Sequence, residues 1–271
     1  MLRLRMILIA ALAAGAMGGG AVAARQADGP VLGRVSAAPP VEQAALSPAG
    51  QALADQMAAG FLKAIHAEAP AWWGCGVATP VAEQPARARA LAEAVLVAMR
   101  EQGATWLNPW AVLAVTWSES RGDPCAIGPL SRKAARELKL IPEDRLFNRW
   151  TAADVRTLVT HPKWLRARAK VGADLGLGQQ IWERYARIAD PAGPLSCGKG
   201  TPCRVPTLDE ALSVDGGARS LITGMAWRKA MYRAARPWQH WPGSVRDLGY
   251  DSKVMALVYR MGGKDGARPV W

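Results

Sequence analysis

The sequence predicts a mainly α-helical protein. Three observations carry that prediction. Apolar residues recur at helical spacing, as in Leu53, Met57, Phe61 and Ile65. The pairs Ser47-Pro48 and Asn108-Pro109 put a capping side chain and a first-turn proline at the head of such segments. Convincing alternating apolar–polar runs are absent, and no repeat of fixed period is visible. Half of the 271 residues are hydrophobic and 21% are charged, which supports a packed core and excludes wholesale disorder. Residues 125 to 180 leave room for a small β element.

The chain opens on Arg3 and Arg5, the apolar stretch Met6–Met17, and Ala21-Val22-Ala23 as a cleavage signal. Residues 1–23 therefore read as a secretory signal peptide. The short apolar run and Gly18 to Gly20 argue against a permanent anchor. No later run is long enough to span a bilayer, so no stable membrane span is expected after cleavage. The protein is expected to be exported, to a periplasmic or extracellular location. Losing Arg3 and Arg5 takes the net charge from +12 to +10. Outside the cytoplasm such a charge suits anionic polymers or surfaces. No RNP, zinc-finger or basic-zipper pattern occurs, and nucleic acid is not an expected partner.

Residues 24–46, rich in Ala, Gly and Pro, read as a flexible linker. Residues 47–104 read as an N-terminal helical extension. Its first helix starts at the Ser47 cap and stops before Pro70. Ala71 to Pro85 is a loop carrying Trp72, Trp73 and Cys75. Arg87 to Glu101 is a second helix, with Leu91, Val95 and Met99 inward and Gly103 as its stop.

Residues 105–271 form the main domain. Asn108-Pro109 starts a helix through WAVLAVTWSES, ended by Gly122, Asp123 and Pro124. Ser131 to Leu140 and Thr151 to Thr160 are short polar-faced helices, and Gln179 to Ala189 is another. Pro191 to Pro206 is a loop. Thr207 and Glu210 form a capping box. Leu212 to about Ala235 is helical, with Gly216-Gly217 as a breaking point. Asp251 to Met261 is the last helix, closed by Gly262-Gly263.

Export makes disulfides plausible for Cys75, Cys125, Cys197 and Cys203. Four cysteines allow three connectivities, which sequence alone does not separate. The local loop CGKGTPC favours Cys197–Cys203, leaving Cys75–Cys125. There is no C-x-x-C, and His66, His161 and His240 are scattered. No metal site and no cofactor are expected.

Glu119 is the sharpest chemical feature. It lies in the last turn of an otherwise apolar helix, on the face of Val112, Val115 and Thr116. Desolvation and the negative end of the helix dipole both disfavour its charge, and no Lys or Arg sits one turn back. A carboxyl kept protonated near neutral pH is what a general acid requires. An exposed Glu paired with Arg121 is the plainer alternative.

The stretch NPWAVLAVTWSESRGDPCAIGP, with Glu119-Ser120 at its helix end, resembles the opening motif of the soluble lytic transglycosylase family of the lysozyme superfamily. Gly176-Leu177-Gly178-Gln179 is similar to that family's Gly-Leu-Met-Gln segment. Val258-Tyr259-Arg260 stands where the family has Ala-Tyr-Asn. Gly178 and Arg260 depart from the pattern. The resemblance covers about Trp106 to Gly263 and implies a lysozyme-like helical domain acting on peptidoglycan glycan strands. It implies Glu119 as general acid and then base, with a 1,6-anhydro product. It implies Tyr259 as the donor orienting Glu119, and Ser120 and Gln179 holding a sugar substituent or the cleft backbone. Arg260 is expected to meet a carboxylate on the substrate or on the protein. Trp117, Trp106, Trp110 and Trp182 flank the motifs as candidates for stacking on sugar rings, and Trp72 and Trp73 as cleft-wall candidates. A lysozyme-type hydrolase would need a second carboxylate, for which Asp123 and Asp174 are nearest in motif terms. A non-catalytic wall-binding protein with a degenerate cleft is the third reading.

Overall fold

The computed structural model describes residues 45–68, 71–140, 150–168, 174–181, 207–241 and 246–271. The predicted signal peptide, most of the predicted linker, Trp182, the predicted loop Pro191–Pro206 and the predicted pair Cys197–Cys203 lie outside these residues. Everything described belongs to one compact unit, Gln43–Trp271.

Helices dominate, as the periodicity predicts. Helix α1 (Pro48–Glu68) opens where Ser47 Oγ accepts the Gly50 N–H at 3.1 Å. Its Met57, Phe61 and Ile65 are fully buried. Helix α2 (Gln84–Glu101) begins earlier than the expected Arg87, because Pro85 fits its first turn. Helix α3 (Pro109–Ser120) is capped by Asn108 Oδ1, which accepts from Trp110 N–H at 3.0 Å, and it is buried from Pro109 to Trp117. Helices α4 (Pro129–Glu137), α5 (Ala152–Thr160) and α6 (Pro162–Arg168) follow. The sequence reading missed α6. Capping boxes at Thr151/Asp154 and Thr207/Glu210 start α5 and α7 (Leu208–Ala211). The break expected at Gly216-Gly217 falls at Ser213 instead. Ser213 caps α8 (Val214–Tyr232) through Gly216 N–H, so the glycines lie in its first turn. Helix α9 (Leu248–Arg260) closes at Gly262, φ +88°.

The described residues also form two small antiparallel hairpins. Strands β3 (Asp174–Leu175) and β4 (Gln180–Ile181) fall at the end of the window left for a β element, and Ile127 bridges to Leu175. They overturn the start of the helix expected from Gln179. That residue sits at φ +48° in the hairpin turn, and strand pairing takes the next two. Strands β1 (Trp72–Gly74) and β2 (Val77–Thr79) lie where a loop was expected. Their turn puts Cys75 at φ +46° and Gly76 at φ +83°, the two left-handed positions of a type I′ hairpin.

One apolar cluster joins α1, α2, α3, α8 and α9. Helix α2 packs on both α1 and α8, and α3 packs on α9, so residues 47–104 share the main core. A Cβ on Gly60 would lie 2.0 Å from the Met261 carbonyl oxygen, so α1 meets the end of α9 at a distance only glycine permits. A second cluster gathers Cys125, Ile127, Trp150, Val155, Trp164 and Leu175 around α4 to α6.

The disulfide Cys75–Cys125 pins the β1–β2 turn to the loop after α3, with a Cα–Cα distance of 4.8 Å. Between them lies the fully buried Asp123, whose Oδ1 accepts both cysteine N–H groups at 2.9 Å. Burial pushes its pKa up to about 6, although the two amides and Arg87 pull the other way. A carboxyl that holds its proton more tightly when folded stabilises the fold below its unfolded value near 3.8. That contribution is lost as pH rises through about 6. Over that interval Asp123→Asn is expected to lose less stability than wild type, by on the order of 2 kcal/mol. Urea unfolding at both ends of the interval checks this, and equal pH slopes would count against it.

Candidate active site

Glu119 stands one turn after Val115 and Thr116, both fully buried. Its side chain is partly buried, and Oε1 accepts the Tyr250 hydroxyl from α9 at 2.5 Å. Loss of hydration pushes its pKa up. The Tyr250 hydrogen bond and the cations Lys253 and Arg228 oppose that rise, while the Asp174 charge adds to it, and the net direction is upward. Tyr250 is held well above its ordinary value by burial and by Glu119, so it remains a donor. The pairing of Glu119 with Arg121 does not form. Arg121 takes the left-handed cap of α3, φ +58°, and reaches Glu68 Oε2 at 2.8 Å.

The β3–β4 turn is held from two sides. Gln179 Nε2 donates to the carbonyls of Ala126 and Gly176, each at 2.9 Å. The Gly178 carbonyl accepts Trp241 Nε1–H at 3.0 Å. Arg228 lies 4.1 Å over the Trp241 ring and donates to the His240 carbonyl at 3.0 Å. Gly178 therefore leaves its backbone to an indole from the far end of the chain. Asp174 is buried, and its Oδ1 accepts from the Ser131 N–H at 3.1 Å and from the Ser131 hydroxyl. A Cβ on Gly128 would collide with its other oxygen, at 1.7 Å.

The remaining expected site residues fall elsewhere. Tyr259 is 58% exposed, and the hydroxyl that orients Glu119 is that of Tyr250. The two tyrosines are nine positions apart on α9, which places them on opposite faces. Ser120 is fully buried, and its hydroxyl donates to the Thr116 carbonyl at 3.0 Å. Trp117 is a core residue, edge-on to Phe61, with its indole N–H on Glu68 Oε2 at 2.8 Å. Of the alternatives for Arg260, the protein's own carboxylate is the one observed: it donates to Glu68 Oε1 at 2.5 Å. Burial alone would raise the Glu68 pKa, but Trp117, Arg121 and Arg260 together hold it below the ordinary range. Trp72 and Trp110 are also core residues, and Trp106 lies under Lys229 at 4.0 Å.

The sequence reading missed Tyr250, Arg228 and Lys253. Tyr250 was legible in principle, since it continues the stripe of Val254 and Leu257, both buried. Among the described residues, the one grouping of metal-ligand type is Cys75, Asp123 and Cys125, whose two sulfurs are bonded to each other. No helix among them is long and apolar enough to cross a membrane. No family model matches the chain, and no curated protein or solved structure matches it either.

Proposed function

We propose that the chain is an exported peptidoglycan lytic transglycosylase with Glu119 as its acid and base. The observation that carries this reading is the carboxyl of Glu119. It is sunk at the end of an apolar helix, raised in pKa, and oriented by a hydroxyl donor. Protonated Glu119 gives its proton to the oxygen linking N-acetylmuramic acid to N-acetylglucosamine, and the bond from the anomeric carbon to that oxygen breaks. The resulting carboxylate takes the proton of the sugar's own 6-hydroxyl, whose oxygen closes the 1,6-anhydro ring. No water is consumed, so no second carboxylate is needed.

Tyr250 fixes Oε1 and leaves Oε2 to face the glycan. Lys253 and Arg228 lower the cost of the ionised form between the two proton transfers. Gln179 keeps the neighbouring turn in shape, and Ser120 stiffens the end of α3. The net charge of +10 left after signal removal favours association with an anionic wall, and the disulfide suits an oxidising compartment. Asp123 and Asp174 are both buried and hydrogen-bonded, which weighs against a hydrolase that steers water with either one.

Mass spectrometry of products from purified sacculi tests the reading. Anhydro-ended muropeptides are expected. Reducing ends would point to hydrolysis, and binding without release would point to a non-catalytic wall protein. Tyr250→Phe is expected to slow cleavage by about 10-fold or more, since an unanchored carboxyl spends less time in line. Tyr259→Phe is expected to leave the rate near wild type, and initial rates of sacculus solubilisation compare the two.

A further inference from the structure

Residue 251, next to Tyr250, opens onto a different space. A pocket of about 390 Å³ lies between the end of α8, the 3-10 turn Pro237–His240 and the first turn of α9. That volume is within the usual range for small-ligand sites. Tyr232, Arg233, Arg236, His240, Arg246 and Asp251 line it.

The charges in this pocket do not cancel. Asp251 is buried and fully engaged. Its Oδ1 accepts Trp238 Nε1–H at 2.7 Å, and its Oδ2 accepts Gln239 Nε2 at 2.8 Å and Arg236 Nη1 at 3.0 Å. Arg236 also pairs with Asp265 through Nη2. This network of one guanidinium and two carboxylates forms a fixed floor. Arg233 and Arg246 stand exposed at the rim, and among the described residues neither has a hydrogen-bond or ion-pair partner. Arg233 caps the C-terminal end of α8, whose carbonyls favour a cation there. In the same lining, the Tyr232 and His240 rings stack at 4.2 Å and 16°, making a flat aromatic surface. Two unmatched guanidinium forks beside an aromatic face suit a planar or tetrahedral oxyanion joined to a compact body.

We propose that this pocket binds a small ligand through a carboxylate or phosphate group. Arg233 and Arg246 are the recognising cations, and the Tyr232–His240 pair is the wall against which the ligand's body lies. The site is separate from Glu119 and does not rest on the glycan-cleaving reading.

The test is calorimetric titration of the chain at low ionic strength with N-acetylglutamate and, separately, with glycerol 3-phosphate. Saturable binding of at least one probe is expected, and the tighter one names the oxyanion. Combined Arg233→Gln and Arg246→Gln is expected to weaken it about tenfold or more, with Arg246→Gln alone intermediate. A control carrying Arg136→Gln and Lys163→Gln removes the same charge from exposed positions on α4 and α6 and is expected to bind as wild type does. Failure of both probes to saturate, or equal weakening by the two double variants, would overturn the proposal.

Discussion

Glu119→Gln is expected to reduce glycan solubilisation by about 10²–10⁴-fold while leaving the fold intact. The amide is nearly isosteric, and its oxygen can still accept the Tyr250 hydroxyl now 2.5 Å from Oε1. What it lacks is a proton to give and a charge with which to take one back. Neither nearby acid is placed to substitute, since Asp123 lies between the cysteine amides and Asp174 is held by Ser131. Substrate affinity should change little, so the loss should fall on kcat. Stability should hold or rise above the carboxyl's own pKa, because the buried group no longer has to ionise. Initial rates on purified sacculi, with thermal melts by circular dichroism, measure both. A variant as fast as wild type would remove Glu119 from the mechanism. In the wild type, the rate should fall as pH rises past the raised pKa, because the acid form is then depleted.

The second large effect concerns stability. Replacing Cys75 and Cys125 together by serine is expected to cost about 4 kcal/mol, the chain-entropy value for a link spanning 50 residues. The loop it closes carries all of α2 and all of α3, so the unfolded chain gains much freedom without it. The hairpin should not detach at once. Trp72 Nε1–H still donates to the Arg121 carbonyl at 2.8 Å, and Arg87 still bridges Trp73 and Gly122 by their carbonyls. Urea unfolding of the double variant, and of wild type under reductant, should give the same loss. A loss below about 1 kcal/mol would mean that the unfolded chain is already compact there.

Most helices were legible because their signals are local: a cap, a proline, and an apolar residue every third or fourth position. The small hairpins were not. Strands of two or three residues cannot display an alternation, and Cys75-Gly76 hid a turn usually marked by Asn-Gly. Glu119 was visible as an acid breaking an apolar run. Its pairing with Tyr250 was not, since the two are 131 positions apart and only packing of α9 on α3 brings them together. Family resemblance pointed to Tyr259, whereas helical periodicity, followed from Val254 and Leu257, leads back to Tyr250. Trp117 shows the opposite error. The apolar helix around it already implied a core role, and its partner Glu68 lies on a helix assigned to the extension.

Glu68 has a practical consequence. One carboxylate at the tip of α1 collects an indole and a guanidinium from the end of α3 and a second guanidinium from the end of α9. A fragment trimmed to begin at Thr105 would remove that anchor and strand two arginines beside an uncovered tryptophan, together with the apolar surface that α1 and α2 now cover. Residues 47–104 are better regarded as part of the same folded body than as a dispensable leader, and expression boundaries should be drawn ahead of Ser47.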